Sequence, residues 1–129
     1  MLAVDTNVVV RLLVKDEPSQ SRRAASLFER ESIFLPKTVL LETEWVLRYA
    51  YERTRLDIGR ALRALVGLPN VTVEGEAEVA NALASFDAGL DFADALHLAS
   101  SSRAERFATL DKTLIKRAKG RSATALVAA

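Results

Sequence analysis

The sequence predicts an α/β fold of three layers, a mostly parallel sheet with helices on both faces. Three observations carry this expectation. Short apolar runs recur along the chain, one or two amphipathic helical patterns separate them, and two of the runs (ending at Asp5 and Asp111) stop abruptly in an aspartate before a helix. Crossovers of that length join parallel strands, and open parallel sheets place their ligands at the carboxyl ends of the strands.

The elements follow in order. Leu2 to Val4 reads as a buried strand ending at Asp5, and Val8, Val9, Leu12 and Leu13 then recur at helical spacing from about Asn7. Pro18 suits the first turn of a second helix with Ala24, Leu27 and Phe28 inward, and Ile33 to Leu35 is a short strand broken by Pro36. A third helix is expected from about Thr38 to Glu52. A fourth is capped by Asp57, with Ile58, Ala61, Leu62, Leu65 and Val66 as its stripe. After the turn at 67–70, Val71 to Val73 is a strand, and a fifth helix carries Val79, Leu83 and Phe86 and ends near Gly89. Asp91 to Arg103 forms the sixth helix, Arg106 to Thr109 a strand, Lys112 to Lys119 the seventh helix and Ala123 to Val127 an edge strand.

At 129 residues, half of them hydrophobic, the chain is expected to be one domain (1–129) with a core that needs no staples. It has no cysteine, so disulfides and thiolate zinc sites are excluded, in keeping with a reducing cytoplasm. Neither a secretory leader nor a membrane span is expected. The net charge of +1 argues against a surface devoted to nonspecific nucleic-acid binding, yet residues 112–121 hold five cations and no acid. That segment is either a phosphate-contact surface or a solvated helix with cations near its C-terminus.

Four acids are candidates for chemistry. Asp5 and Asp111 stand at strand ends, where each could serve only as a helix cap. On a wheel of the third helix Glu42 falls in an apolar arc with Val39, Val46, Tyr49 and Ala50. Glu44, Arg48 and Glu52 form a ladder expected to face solvent. Asp91 takes the cap of the sixth helix. Asp94 lies off the side packed by Phe92, Ala95, Leu96 and Ala99, beside His97 and Ser101. His97, the only histidine, is expected to be partly buried and structural. No serine stands where a triad would need it, and no phosphate-binding glycine motif is present. For Trp45, Tyr49 and Tyr51, core packing or a subunit contact is favoured over base stacking.

Carboxylates that converge repel one another unless a cation joins them. Oxygen ligands without His or Cys select Mg²⁺ or Mn²⁺, and the natural chemistry is phosphodiester hydrolysis by water activated at one or two such ions. Asp5, Asp94 and Asp111 would hold metal directly or through water, and Glu42 would ligate or orient the attacking water.

The segments VDTNV at 4–8, LLETEWVL at 40–47, GLDFADALHLA at 89–99 and ATLD at 108–111 resemble the PIN-domain family, in particular the VapC-like toxins of toxin–antitoxin pairs. The resemblance spans nearly the whole chain. It implies a Mg²⁺-dependent endoribonuclease with Asp5, Glu42, Asp94 and Asp111 at the acidic positions and Thr6, Asn7 and Thr109 as polar support. It also implies RNA as substrate, a homodimer, and a VapB-like antitoxin whose C-terminal segment covers the active groove. Two other classes compete. A phosphoacceptor signalling domain needs paired acids after its first strand and a lysine on its last, which Asp5-Thr6-Asn7 and Ala123 to Val127 do not supply. A noncatalytic module would use the acidic groove to bind a partner protein.

Overall fold

A computed structural model describes residues 1–129, with seven helices, five strands and only parallel strand pairings. The α/β class with parallel strands is as the sequence predicts. The chain divides into two compact units, Met1–Glu74 and Gly75–Ala129.

In the first unit β1 (Leu2–Ala3), β2 (Ile33–Leu35) and β3 (Val71–Val73) pair in that order, Leu2 opposite Ile33 and Ile33 opposite Val71. Ile33 and Leu35, in the middle strand, have no exposure and centre the core. The opening strand differs from expectation. Leu2 and Ala3 are exposed because β1 has a sheet neighbour on one side only, and Val4, just past it, is the buried residue.

Helix α1 (Thr6–Leu13) buries Val9 and Val10, and α2 (Pro18–Arg30) starts as expected with Pro18 in its first turn and the Glu17 side chain accepting from Ser19 and Gln20 N–H. Missing its own N–H costs proline nothing there. Helix α3 (Lys37–Tyr49) begins directly after Pro36, and the Lys37 N–H donates to Glu74 Oε1 at 2.9 Å. Helix α4 (Arg55–Val66) buries Ile58, Leu62 and Leu65, but its cap is Thr54, whose Oγ1 accepts from Asp57 N–H at 3.1 Å. Asp57 instead sits in the first turn, where a carboxylate also complements the helix dipole. The Asn70 amide donates to the Phe28 and Glu31 carbonyls, tying the end of α2 to the entrance of β3.

In the second unit α5 (Glu76–Asp87) and α6 (Phe92–Ala99) pack through the edge-on rings of Phe86 and Phe92, 5.7 Å apart. Gly89 joins them with φ of 112°, a conformation closed to residues with a Cβ. Strand β4 (Arg106–Thr109) pairs in parallel with β5 (Ala125–Ala128) across α7 (Lys112–Ala118). Helix α6 ends four residues earlier than expected, because turns of the Ser100–Glu105 segment follow it. His97 is exposed, not partly buried.

Candidate nuclease site

Each unit presents its own carboxylates at helix N-termini. In the first, Asp5 leaves β1 and caps α1, its Oδ1 accepting from Thr6 N–H at 2.7 Å. Thr6 is buried, 5% exposed, and its hydroxyl donates to Glu42 Oε1 on α3 in a short hydrogen bond. Glu42 is thereby held from one side by α1 while its carboxylate faces solvent.

The wheel of the third helix turns out to be inverted. The buried stripe of α3 is Leu40, Thr43, Glu44 and Leu47, at i, i+3, i+4 and i+7, and Glu42 is exposed. Glu44, expected at the surface, is 1% exposed and pairs with Arg48, Nε to Oε2 at 2.9 Å and Nη2 to Oε1 at 3.2 Å. Large aromatic residues on the outer face, Trp45 and Tyr49, make that face look apolar, and the ion pair lets a carboxylate replace a hydrophobe inside. Burial therefore does not single out Glu42. Its contact with Thr6 does.

In the second unit Asp91 caps α6, its Oδ2 accepting from Asp94 N–H at 3.2 Å. Burial first, then the charges of Asp91 and Asp111, raise the Asp94 carboxyl above its ordinary value, and His97 pulls it the other way. Asp94, on a different element, thus feels the charge of Asp111. Asp111 caps α7, its Oδ1 accepting from Thr113 N–H at 2.9 Å and Leu114 N–H at 3.1 Å, while Thr109 Oγ1 accepts from Asp111 N–H at 3.0 Å. Thr109 is the polar support that fixes where Asp111 begins its turn.

Both strand-end aspartates commit one carboxylate oxygen, Oδ1, to backbone N–H groups. Asp5 and Asp111 are also solvent-exposed, so the second oxygen of each suits a hard cation. The donor set contains only oxygens apart from His97, which fits Mg²⁺ or Mn²⁺ better than zinc. Within neither unit do three acids or histidines gather around a common point.

Two cations escaped the sequence argument. Arg11 and Arg23 line a cleft with Asn7, Val8, Gln20 and Leu27, so a basic groove starts two residues past Asp5. Arg11 is fixed there by Gln20 at 2.7 Å, Asp16 at 2.9 Å and the Tyr51 hydroxyl at 3.1 Å. The helical spacing of Arg11 and the turn between α1 and α2 were the available signals, but the pairing itself crosses 40 positions of sequence.

Parallel strands that end in exposed aspartates capping the following helices define an α/β domain with carboxylates at its strand ends. The family is specific: the PIN domain model matches residues 2–120, and the chain belongs to the PIN domain family. PIN domains are typically nuclease domains that act on RNA and generally use divalent metal ions. No curated protein matches the chain. No helix is long and apolar enough to cross a membrane.

Proposed function

We propose that this protein is a Mg²⁺-dependent endoribonuclease, the toxin of a type II toxin–antitoxin pair. It works in the cytoplasm as a homodimer, one nuclease domain per chain, and is held silent by a VapB-like antitoxin. The observation that carries the reading is the PIN match over residues 2–120, which takes in all four candidate acids. The four motif segments that resemble VapC-like toxins support the finer assignment.

Asp5, Glu42, Asp94 and Asp111 are the residues that would hold the metal. Mg²⁺, or Mn²⁺ in its place, supplies Lewis-acid stabilisation of charge on the phosphate and a lowered pKa for water. The chain's own contribution is orientation and charge. Backbone N–H groups of α1 and α7 fix the Asp5 and Asp111 carboxylates through one oxygen each, so neither reorganises when a cation arrives. The Thr6 hydroxyl holds Glu42 in one rotamer, suited to accepting a proton from the attacking water. Burial, and then the charges of Asp91 and Asp111, make Asp94 costly to ionise alone, a cost that a divalent cation would relieve. The groove of Arg11 and Arg23 and the exposed cations of α7 suit the phosphates of a bound strand.

The test is thermal unfolding in EDTA and then in rising Mn²⁺ or Mg²⁺, for wild type and Asp5→Asn, followed by RNA cleavage. A site filled to 100 times its Kd stabilises by about 2.7 kcal/mol, several degrees in a domain of this size. Wild type should shift, Asp5→Asn should not, and cleavage should follow the shift. An unshifted wild type with no RNA cleaved in either metal defeats the proposal in favour of a noncatalytic module.

A further inference from the structure

The inverted wheel of α3 leaves an aromatic pair unexplained. Trp45 and Tyr49 are 55% and 60% exposed, with ring centroids 5.1 Å apart and planes tilted by 48°. Exposing two such rings on one helix forfeits the burial that normally stabilises them. Nor are they loosely placed. The Arg48 guanidinium lies 4.7 Å from the Tyr49 ring centroid and is clamped at its other end by buried Glu44. A carboxylate inside the core, an arginine anchored to it and a ring under the arginine form a chain of contacts from the core to the surface.

Their location matters. Glu42, Trp45 and Tyr49 follow at i, i+3 and i+7, so the rings lie on the same exposed stripe of α3 as the candidate acid. At the helical rise they stand about 4.5 Å and about 10 Å along the axis from it. The chain that follows is rich in cations: residues 48–63 contain five arginines against Glu52 and Asp57.

We propose that Trp45 and Tyr49 form a stacking platform for unpaired bases of an RNA strand whose backbone passes Glu42. This rests on the nuclease reading for its choice of ligand. Aromatic faces beside arginines are how proteins hold single-stranded RNA without reading its sequence, since every base has a face to stack. A duplex keeps its bases stacked on one another and offers the rings nothing. A permanent protein contact on this stripe would also cover Glu42, whereas a strand delivered to Glu42 must run along it.

Trp45 is the only tryptophan of the chain, so its emission reports on the platform directly. The experiment titrates the full-length protein in EDTA with a short fluorescent oligouridylate and, separately, with a duplex RNA, reading tryptophan quenching and RNA anisotropy together. The single strand should quench saturably and the duplex weakly. Tyr49→Ala and Trp45→Ala should each weaken single-strand binding by roughly 10-fold, with Trp45→Phe restoring most of it. Both side chains are exposed, so the variants should fold, as circular dichroism will verify.

Binding by anisotropy with unchanged emission and unchanged affinity in Trp45→Ala overturns the proposal. So does emission that shifts with protein concentration alone, together with loss of a dimer in Trp45→Ala, which would make the patch a contact between two copies. Cleavage with added metal is scored separately. Quenching without cleavage would leave the platform standing and remove the nuclease reading, and cleavage without quenching would do the opposite.

Discussion

Replacing Arg48 with Met should destabilise the protein far more than replacing Glu44 with Gln. Glu44 is 1% exposed while Arg48 is 33% exposed, so the two ends of this pair are unequal. Removing the guanidinium takes the ion-pair partner from a carboxylate in the core, Nε to Oε2 at 2.9 Å and Nη2 to Oε1 at 3.2 Å. Breaking a buried pair in this way costs about 3–5 kcal/mol, and the partial exposure of Arg48 keeps the effect near the lower end. Glu44→Gln keeps the side-chain volume and leaves a guanidinium that water already reaches, at a cost of about 1 kcal/mol. In a domain of 129 residues these correspond to roughly 10 °C and a few degrees in melting temperature.

Urea unfolding of wild type, Arg48→Met, Glu44→Gln and the double variant measures both costs and their coupling. Equal costs for the two single variants would refute the view that the buried carboxylate depends on Arg48 more than Arg48 depends on it.

Three further perturbations address the site and its frame. Asp94→Asn should abolish RNA cleavage and leave the metal-free protein as stable or slightly more so, because burial and the charges of Asp91 and Asp111 oppose ionisation of Asp94. Since that carboxyl titrates above its unfolded value, its unfavourable contribution grows as pH rises through the carboxylate range, and in EDTA the variant should lose that part of the pH slope of its melting temperature. A loss of several kcal/mol at neutral pH would instead make Asp94 structural. Thr6→Val removes the donor to Glu42 while keeping the buried shape, so cleavage should fall by roughly 10-fold with stability changed by less than about 1 kcal/mol; undiminished turnover would detach Glu42 orientation from catalysis. Asn70→Ala strips two carbonyls, those of Phe28 and Glu31, of their shared donor and should cost about 1–2 kcal/mol in urea unfolding without touching metal affinity.

What could be read from the sequence here depended on how local the determining interaction is. Helix starts at Pro18, Phe92 and Lys112, and to within one residue at Thr6, were readable because the cap or the first helical residue leaves a signature in side-chain chemistry. Where two caps compete within three residues, as Thr54 and Asp57 do, composition alone chose the acid and the structure chose the hydroxyl. Helix α3 misled for a different reason. Its inner face carries a glutamate and its outer face a tryptophan and a tyrosine, so apolar periodicity pointed the wrong way, and only the i, i+4 relation of Glu44 to Arg48 could have corrected it. The Thr6–Glu42 bond spans 36 positions and the Arg11–Tyr51 bond 40, distances over which no periodicity speaks.

Asp5 and Asp111 show why capping and catalysis need not compete as explanations of the same residue. A cap consumes one oxygen of a carboxylate and fixes its rotamer against one or two backbone groups, and a ligand to a hard cation needs one oxygen in a fixed place. At both residues Oδ1 is the oxygen that meets the backbone. The helix start that makes each aspartate look merely structural is thus what orients its other oxygen. Asp94 lacks such a tether, being raised by burial and neighbouring charge instead, so it is the acid whose ionisation should respond most to a cation. In the second unit a tethered Asp111 beside a strained Asp94 would be stiff where a cation is to be positioned and responsive where one is to be gained.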